Sequence, residues 1–371
     1  MNFFKKLLGK TTGSTSPATV AGFWDWFLEN EVSFFNTIRS MDSQIINDRF
    51  LNYIVPQLQD LNPQFYCETG MANPELAELV ITAEGDIKTF VFVEELVAAA
   101  PDLSRWKFTA LKPPTGIGCR INLNGASFDS DTIRFFYDED PQYPDEINLT
   151  MVHGDFGAEN KQNIAHGCLL YLDALLGEWD VATLIDNIRV DGPQPADREL
   201  IPMEKLNDFL RWKEKEFVEK YDGTRHNTES DAYSALEGSD DEGLSSAAII
   251  NTSLLQWDAK ASHPWMMVIT IDYQKNNGLG INGMPKEKQY QAFNRLQDDL
   301  DQQLADTAGY LSLGRQTYKG ESNIYVACRE FRHASKVADR LIRGYQSELV
   351  CRYDIYKDKY WRTMNPFQAA V

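Results

Sequence analysis

An α+β fold is predicted, and three observations predict it. From Trp257 onward the apolar residues recur at a period of two, then at steps of three and four, then twice at two, again at three and four, and last at two. The 371 residues are 43% apolar and 12% aromatic, enough to fill a core in each of two domains. The N-terminal half also alternates strand-like with helix-like stretches. The C-terminal order β-α-β-β-α-β specifies a ferredoxin-like two-layer sandwich, and the N-terminal half reads as a second, elaborated α+β domain on the same plan.

The first 20 residues form a tail and linker. Phe3, Phe4, Leu7 and Leu8 against Lys5, Lys6 and Lys10 would suit a short helix lying on a membrane surface, but a frayed terminus is the simpler reading. Residues 21–195 form the acidic N-terminal domain. It opens with an amphipathic helix from Ala21 and another over Ser43 to Asp60. Strands follow at Gln64 to Glu68 and Leu76 to Ala83, then a helix over Val91 to Ala100 and a strand over Trp106 to Leu111. Thr132 to Tyr137 and Glu146 to His153 read as a strand pair joined by an acidic turn, and Asn160 to Leu176 places Ile164, Cys168, Leu172 and Leu175 on one helical face.

Residues 196–256 are a charged helix (Met203 to Tyr221) and an acidic connecting arm. The arm is expected to be ordered and to return to helix around Ala247 to Leu255, because Ile249, Ile250, Leu254 and Leu255 need somewhere to pack. Residues 257–371 are the ferredoxin-like domain. Its first strand alternates Met267, Ile269, Ile271 and Tyr273 with Met266, Val268, Thr270 and Asp272. Its first helix carries Tyr290, Phe293, Leu296, Leu300 and Leu304 on one stripe, and its second carries Ala334, Val337, Ala338 and Leu341. The turn at Lys319-Gly320 is too short for anything but an antiparallel pair.

The net charge of −19 is uneven: residues 258–371 hold 16 Lys+Arg against 13 Asp+Glu, and residues 1–257 hold 20 against 42. An acidic field of that size disfavours nucleic acid and anionic membranes as partners. No apolar run reaches the roughly 18 residues of a membrane span. Five scattered cysteines, Cys67, Cys119, Cys168, Cys328 and Cys351, make neither a disulfide framework nor a zinc pattern and read as buried thiols. A cytoplasmic protein is the expectation.

No catalytic signature is present. Gly278-Leu-Gly-Ile-Asn-Gly283 fits G-x-G-x-x-G, but polar residues separate it from the preceding strand and the following strand returns by a hairpin, so it reads as a connection. Asp155-Phe156-Gly157 lacks the other kinase elements, and the five histidines have no zinc-hydrolase spacing. Asp129, Asp131, Asp138, Glu139, Asp140, Asp145 and Glu146 lack the EF-hand order and read as a solvated hairpin. Neither a cofactor nor a metal is expected.

Two surfaces of the last domain are candidates. Asp272, Arg315, Tyr325, Arg329, Arg352, Asp354 and Tyr356 would lie on or beside the sheet face turned away from the helices, which calls for a cover. Arg329, Arg332, Lys336, Arg340 and Arg343 follow steps of three and four along the second helix. They either pair with Asp298, Asp299, Asp301 and Asp306 or form a docking stripe for the acidic half or an acidic protein partner.

Several short stretches together are similar to a known pattern: Trp257-x-x-Lys260, His263-Pro-Trp265, Gly283-Met-Pro285, Gly314-Arg-Gln-Thr317, Ile324 to Arg332, and Tyr353 to Trp361. Over about the last 115 residues the chain resembles a bacterial domain family of unknown function, number 695 of that series. The resemblance implies a two-part bacterial cytosolic protein and supplies no catalytic residues. The expected function is therefore a non-enzymatic protein-binding or regulatory module. The alternative is an enzyme acting on a small anionic ligand at the domain junction.

Overall fold

The computed structural model describes residues 19–195, 197–275 and 277–368. The basic segment at residues 1–10 lies outside them. The chain divides into two compact units, Met1–Glu84 with Phe92–Leu111, and Gly85–Val91 with Lys112–Val371.

In the first unit, α1 (Val20–Arg39) begins where the Thr19 hydroxyl accepts the Gly22 N–H. Its buried stripe of Phe23, Trp24, Phe27, Phe34, Phe35 and Ile38 keeps helical spacing. Next come α2 (Ser43–Ile46), a π-helical turn (Asn47–Leu51) and α3 (Asn52–Leu61). The widened turn lies upstream of Pro56, a residue that cannot donate to the helix ladder and crowds the carbonyl four positions before it. The sheet is β1 (Tyr66–Asn73) antiparallel to β2 (Leu76–Thr82). The intervening helix α4 (Ile87–Ala98) supplies the crossover that brings β3 (Trp106–Ala110) parallel to β2. Trp106 stacks on Phe50 and Phe108 in the core, and the buried Glu31 carboxylate accepts from Trp106 Nε1 at 3.0 Å and Arg105 Nη2 at 2.7 Å.

The second unit opens with the small hairpin β4 (Ile121–Leu123) and β5 (Ala126–Phe128). A four-stranded sheet follows, built from β6 (Ile133–Asp138), β7 (Asn148–His153), β8 (Asn187–Asp191) and β9 (Ile201–Pro202) in the order β8-β7-β6-β9. Helices α5 (Lys161–Leu176) and α6 (Glu178–Leu184) lie between β7 and β8, which pair in parallel. Ile164, Cys168, Leu172 and Leu175 of α5 are buried with Phe135 and Met151, as their spacing predicts. Strands β1 to β9 are divided among three sheets, two of which contain a parallel pair. They do not repeat the expected all-antiparallel plan: the alternation located the strands, but the crossover helices decide how they pair.

After α7 (Leu206–Tyr221) the connecting arm forms an antiparallel hairpin, β10 (Tyr233–Ser239) and β11 (Ser245–Asn251), where a return to helix was expected. Only α8 (Thr252–Leu255) is helical, capped by the Asn251 side chain on the Leu254 N–H. The extended form wins because β11 finds a partner edge in β13 (Tyr310–Tyr318). The remaining elements are β12 (Trp265–Asp272), α9 (Glu287–Gln303), β14 (Glu321–Cys328), α10 (Arg332–Tyr345), β15 (Val350–Lys357) and α11 (Asn365–Gln368). The six-stranded sheet has the order β10-β11-β13-β14-β12-β15, every pair antiparallel.

One face of this sheet carries Ile269, Ile271 and Ile324, all buried, as are Phe293, Leu296 and Leu300 of α9 and Ala334, Val337 and Leu341 of α10. The other face carries Met266, Val268, Leu311, Leu313, Tyr325 and Ala327, and the chain covers it with Leu254, Leu255, Trp361, Met364 and Phe367. The cover sought for that face is thus the C-terminal segment itself. The glycine loop after β12 is a connection, closed by a hydrogen bond from the Tyr273 hydroxyl to the Gly283 carbonyl.

Candidate functional site

The residues singled out in the sequence do not converge. Asp272 accepts from the backbone of Gln274 and Lys275 and pairs with the Lys275 ammonium at 3.0 Å. Burial works to raise its carboxyl, but these bonds win and hold it below the ordinary value. Arg352 pairs diagonally with Glu321 at 2.8 Å, and Asp354 meets Lys88 at 3.3 Å. Tyr325 is buried with its ring edge-on to Phe367, and Tyr356 shares a hydrogen bond with Thr363. Arg329 lies just past the end of β14 and donates to the carbonyls of Thr224 and Tyr221, closing the C-terminal end of α7.

Arg315 is different. A β-bulge falls between Ser312 and Gly314, so the alternation of β13 changes phase there. Leu311 and Leu313 face the C-terminal cover, whereas Ser312 and Arg315, on either side of the bulge, both turn to the opposite face. Gly314 makes this possible: its φ is +134°, and a Cβ would stand 2.2 Å from the Ile249 carbonyl oxygen of the neighbouring β11. Arg315 therefore leaves the surface on which the sequence placed it and lies under α9, only 8% exposed. There its guanidinium donates to Asn294 Oδ1 at 3.0 Å and sits 5.3 Å from the centre of the Tyr290 ring. Burial pulls the guanidinium below its ordinary value, while Tyr290 and Asp298 act in the opposite direction. Among the described residues it forms no ion pair.

Arg315 lines a pocket of about 330 Å³ enclosed by the β10–β11 hairpin, the end of α9 and β13. Thr228, Tyr233 and Ile249 come from the arm, Gln297 and Asp301 from α9, and Tyr310, Ser312 and Gly314 from β13. Asp306 also borders it but is occupied, accepting from both the N–H and the hydroxyl of Thr228 at 2.8 Å. Asp301 stands at the mouth, in contact with solvent yet surrounded by a dense shell of protein. Burial first, and the charge of Asp298 next, push its carboxyl up to about 6, against a hydrogen bond from Ser312. Tyr233 is raised by burial and by the acids Asp231, Asp301 and Asp306.

The contacts of Arg340, Arg343 and the Arg332 guanidinium are not with the acids of α9. Arg340 donates to Gln303, Arg343 pairs with Asp339 at 2.9 Å, and Arg332 lies over the Trp179 ring at 4.2 Å. Lys336 also engages a partner. Asp299 accepts from the Tyr345 hydroxyl, and Asp301 is turned to the pocket. A signal for this was present: Tyr290, Asn294, Gln297 and Asp301 recur at steps of four, three and four, a polar stripe beside the apolar one of Phe293, Leu296 and Leu300.

A second charged cluster joins the last strand to the four-stranded sheet. Asp186 accepts from Lys359 at 2.8 Å and pairs with Lys357 at 3.2 Å, Glu146 pairs with Arg362 at 2.6 Å, and Asp145 pairs with Lys220 at 2.7 Å. The hydroxyls of Tyr221 and Tyr360 also donate to Asp145, whose carboxyl burial would raise but these bonds hold low. Burial pulls Lys357 down to about 8 despite Asp186. Every carboxylate here is occupied, which suits a structural junction rather than an open site. The acidic hairpin is thus not simply solvated: Glu146 is buried, and so is Asp129, which pairs with Arg120. Among the described residues no three His, Cys, Asp or Glu converge to hold a metal, and no helix is long and apolar enough to cross a membrane.

Residues 239–367 match the model of a family of unknown function, DUF695. The match starts within the β10–β11 hairpin, ahead of the Trp257 where the motifs begin, so it takes in the strand that packs against Gly314. No curated protein and no solved structure matches the chain.

Proposed function

We propose that the chain is a non-enzymatic binding module of regulatory type, and that its recognition element is the pocket at Arg315, which takes a small anion. The observation that carries this reading is a buried guanidinium with no ion pair among the described residues, held by Asn294 and Tyr290, on a residue that lines the pocket. A buried charge of this kind is costly unless something of opposite sign reaches it. Among the described residues the pocket lining contains no histidine, cysteine or lysine, the side chains most often used as bases and nucleophiles near neutral pH, which favours binding over turnover.

The scaffold is read as a ferredoxin-like sandwich extended at one edge by the arm hairpin; the order β13-β14-β12-β15 and the two helices that follow β12 and β14 support it. The Asp145, Glu146 and Asp186 contacts support an intramolecular docking of the last domain on the preceding one. A protein-docking role for the α10 stripe is less well supported, because Arg332, Arg340 and Arg343 already have partners in the chain. Titration of the full chain with acetate and inorganic phosphate, followed by amide chemical shifts, tests the reading. Saturable shifts at Arg315, Ser312 and Gln297 that disappear in Arg315→Met are expected. Their absence would end the anion-binding reading.

A further inference from the structure

The pocket at Arg315 has two charged ends. Asn294, which holds the guanidinium, and Asp301 lie on the same face of α9, seven residues apart, with Gln297 between them. Seven residues of α-helix rise about 10 Å. A charge-assisted bond of about 3 Å at each end leaves a few ångströms for the ligand itself. Among the described residues neither Arg315 nor Asp301 is ion-paired: the buried guanidinium feels Asp298 only at a distance, and the Asp301 carboxylate at the mouth is open to solvent and to a ligand. A simple anion would satisfy the guanidinium and would be repelled by the carboxylate. A ligand carrying both charges satisfies both ends.

We propose that the pocket takes a free amino acid as its zwitterion, with Arg315 receiving the carboxylate, Asp301 receiving the ammonium and Gln297 lying between them. The proposal rests on the anion-binding reading above and narrows it. By the helix rise, the gap between the ends is on the order of the separation of ammonium and carboxylate within one small molecule, and the pocket of about 330 Å³ leaves volume for a side chain. Tyr233 and Ile249, both partly exposed on the hairpin, border the space that side chain would enter.

The experiment is a calorimetric and amide-shift titration of the full chain with the common amino acids and γ-aminobutyrate, alongside acetate and methylammonium as single-charge controls. At least one zwitterion is expected to bind about tenfold or more tighter than acetate, the contribution of one added charge-assisted contact. Asp301→Asn, a same-shape change at the mouth that leaves the fold intact, should retain acetate binding and lose that advantage. If acetate binds as well as every zwitterion, or Asp301→Asn leaves the preference unchanged, the amino-acid inference is overturned while the anion reading stands. If neither acetate nor any zwitterion binds, both fall.

Discussion

Lys359 Nζ lies 2.8 Å from Asp186 Oδ2, with only 5% and 6% of the two side chains exposed, although 173 positions separate them in the chain. Asp186 also accepts from the Ile147 N–H at 2.8 Å, so a single carboxylate ties together the end of β15, the segment before β7 and the loop before β8. Lys359→Met removes one charged donor while Lys357 stays 3.2 Å from Asp186, so the carboxylate keeps a cation. The expected loss is that of one shielded charged hydrogen bond, about 1.5–3 kcal/mol, and urea denaturation of the full chain measures it. A loss below about 1 kcal/mol would mean the pair is hydrated in solution.

His263 gives the fold a pH dependence of known sign. It is buried beside Ser262, and burial first, then the charges of Arg225 and His226, pull its imidazole down to about 4. The folded state therefore binds a proton less readily than the unfolded chain, whose histidine titrates near 6.5. This contribution is neutral above about pH 6.5, and stability falls as pH drops from there toward 4. Between pH 7 and pH 5 the loss from this group is about 2 kcal/mol. The difference in pH slope between the native chain and His263→Asn isolates it; equal slopes would assign the effect to other groups.

Gly314→Ala tests the bulge. An alanine there meets the Ile249 carbonyl in a conformation that side chains avoid, so the expected loss exceeds about 1 kcal/mol. Hydrogen exchange should show β10 and β11 opening first, because they are attached to the sheet through this contact. Uniform exchange with unchanged stability would contradict the close approach.

Gly167→Ala sets two effects against each other. Alanine favours the helix by up to about 1 kcal/mol, but the added Cβ would stand 2.1 Å from the ring of Phe128, which is fully buried. Overpacking of this kind costs about 1–3 kcal/mol, so net destabilisation is expected in a thermal melt. The double variant Gly167→Ala with Phe128→Leu should recover part of it.

Arg329→Ala should loosen the end of α7 rather than the sheet. Its guanidinium donates to two carbonyls there, and bonds involving a charged group contribute about 1.5–3 kcal/mol when shielded. Faster amide exchange confined to the segment around Tyr221 and Thr224, with β14 unaffected, is the expected pattern.

Periodicity carried much of the fold. Ile269 and Ile271 on β12, and Ala334, Val337 and Leu341 on α10, are buried where their spacing puts them. The arm was misread because Ala247 to Leu255 is apolar without a clear period, and its conformation was decided by an edge strand more than 60 positions later. The junction acids were read as solvated because their cations lie far downstream; nothing local distinguishes Glu146 from the exposed acids beside it. The pocket was half legible. Arg315 was singled out, but Leu311, Leu313 and Arg315 share odd parity, and alternation alone puts all three on one face. Tyr290 was assigned to the apolar stripe, though it lies 38% exposed against the arginine.

The bulge at Ser312 and Gly314 gives β13 a reading frame. Ahead of it, odd-numbered residues belong to the core beneath Trp361; after it, they serve the space under α9. If β13 paired in regular alternation with no bulge, Arg315 would return to the hydrophobic side and Gln316 would be presented to the pocket. The chemistry of the pocket thus depends on one extra residue in one strand as much as on the identities of the residues that line it.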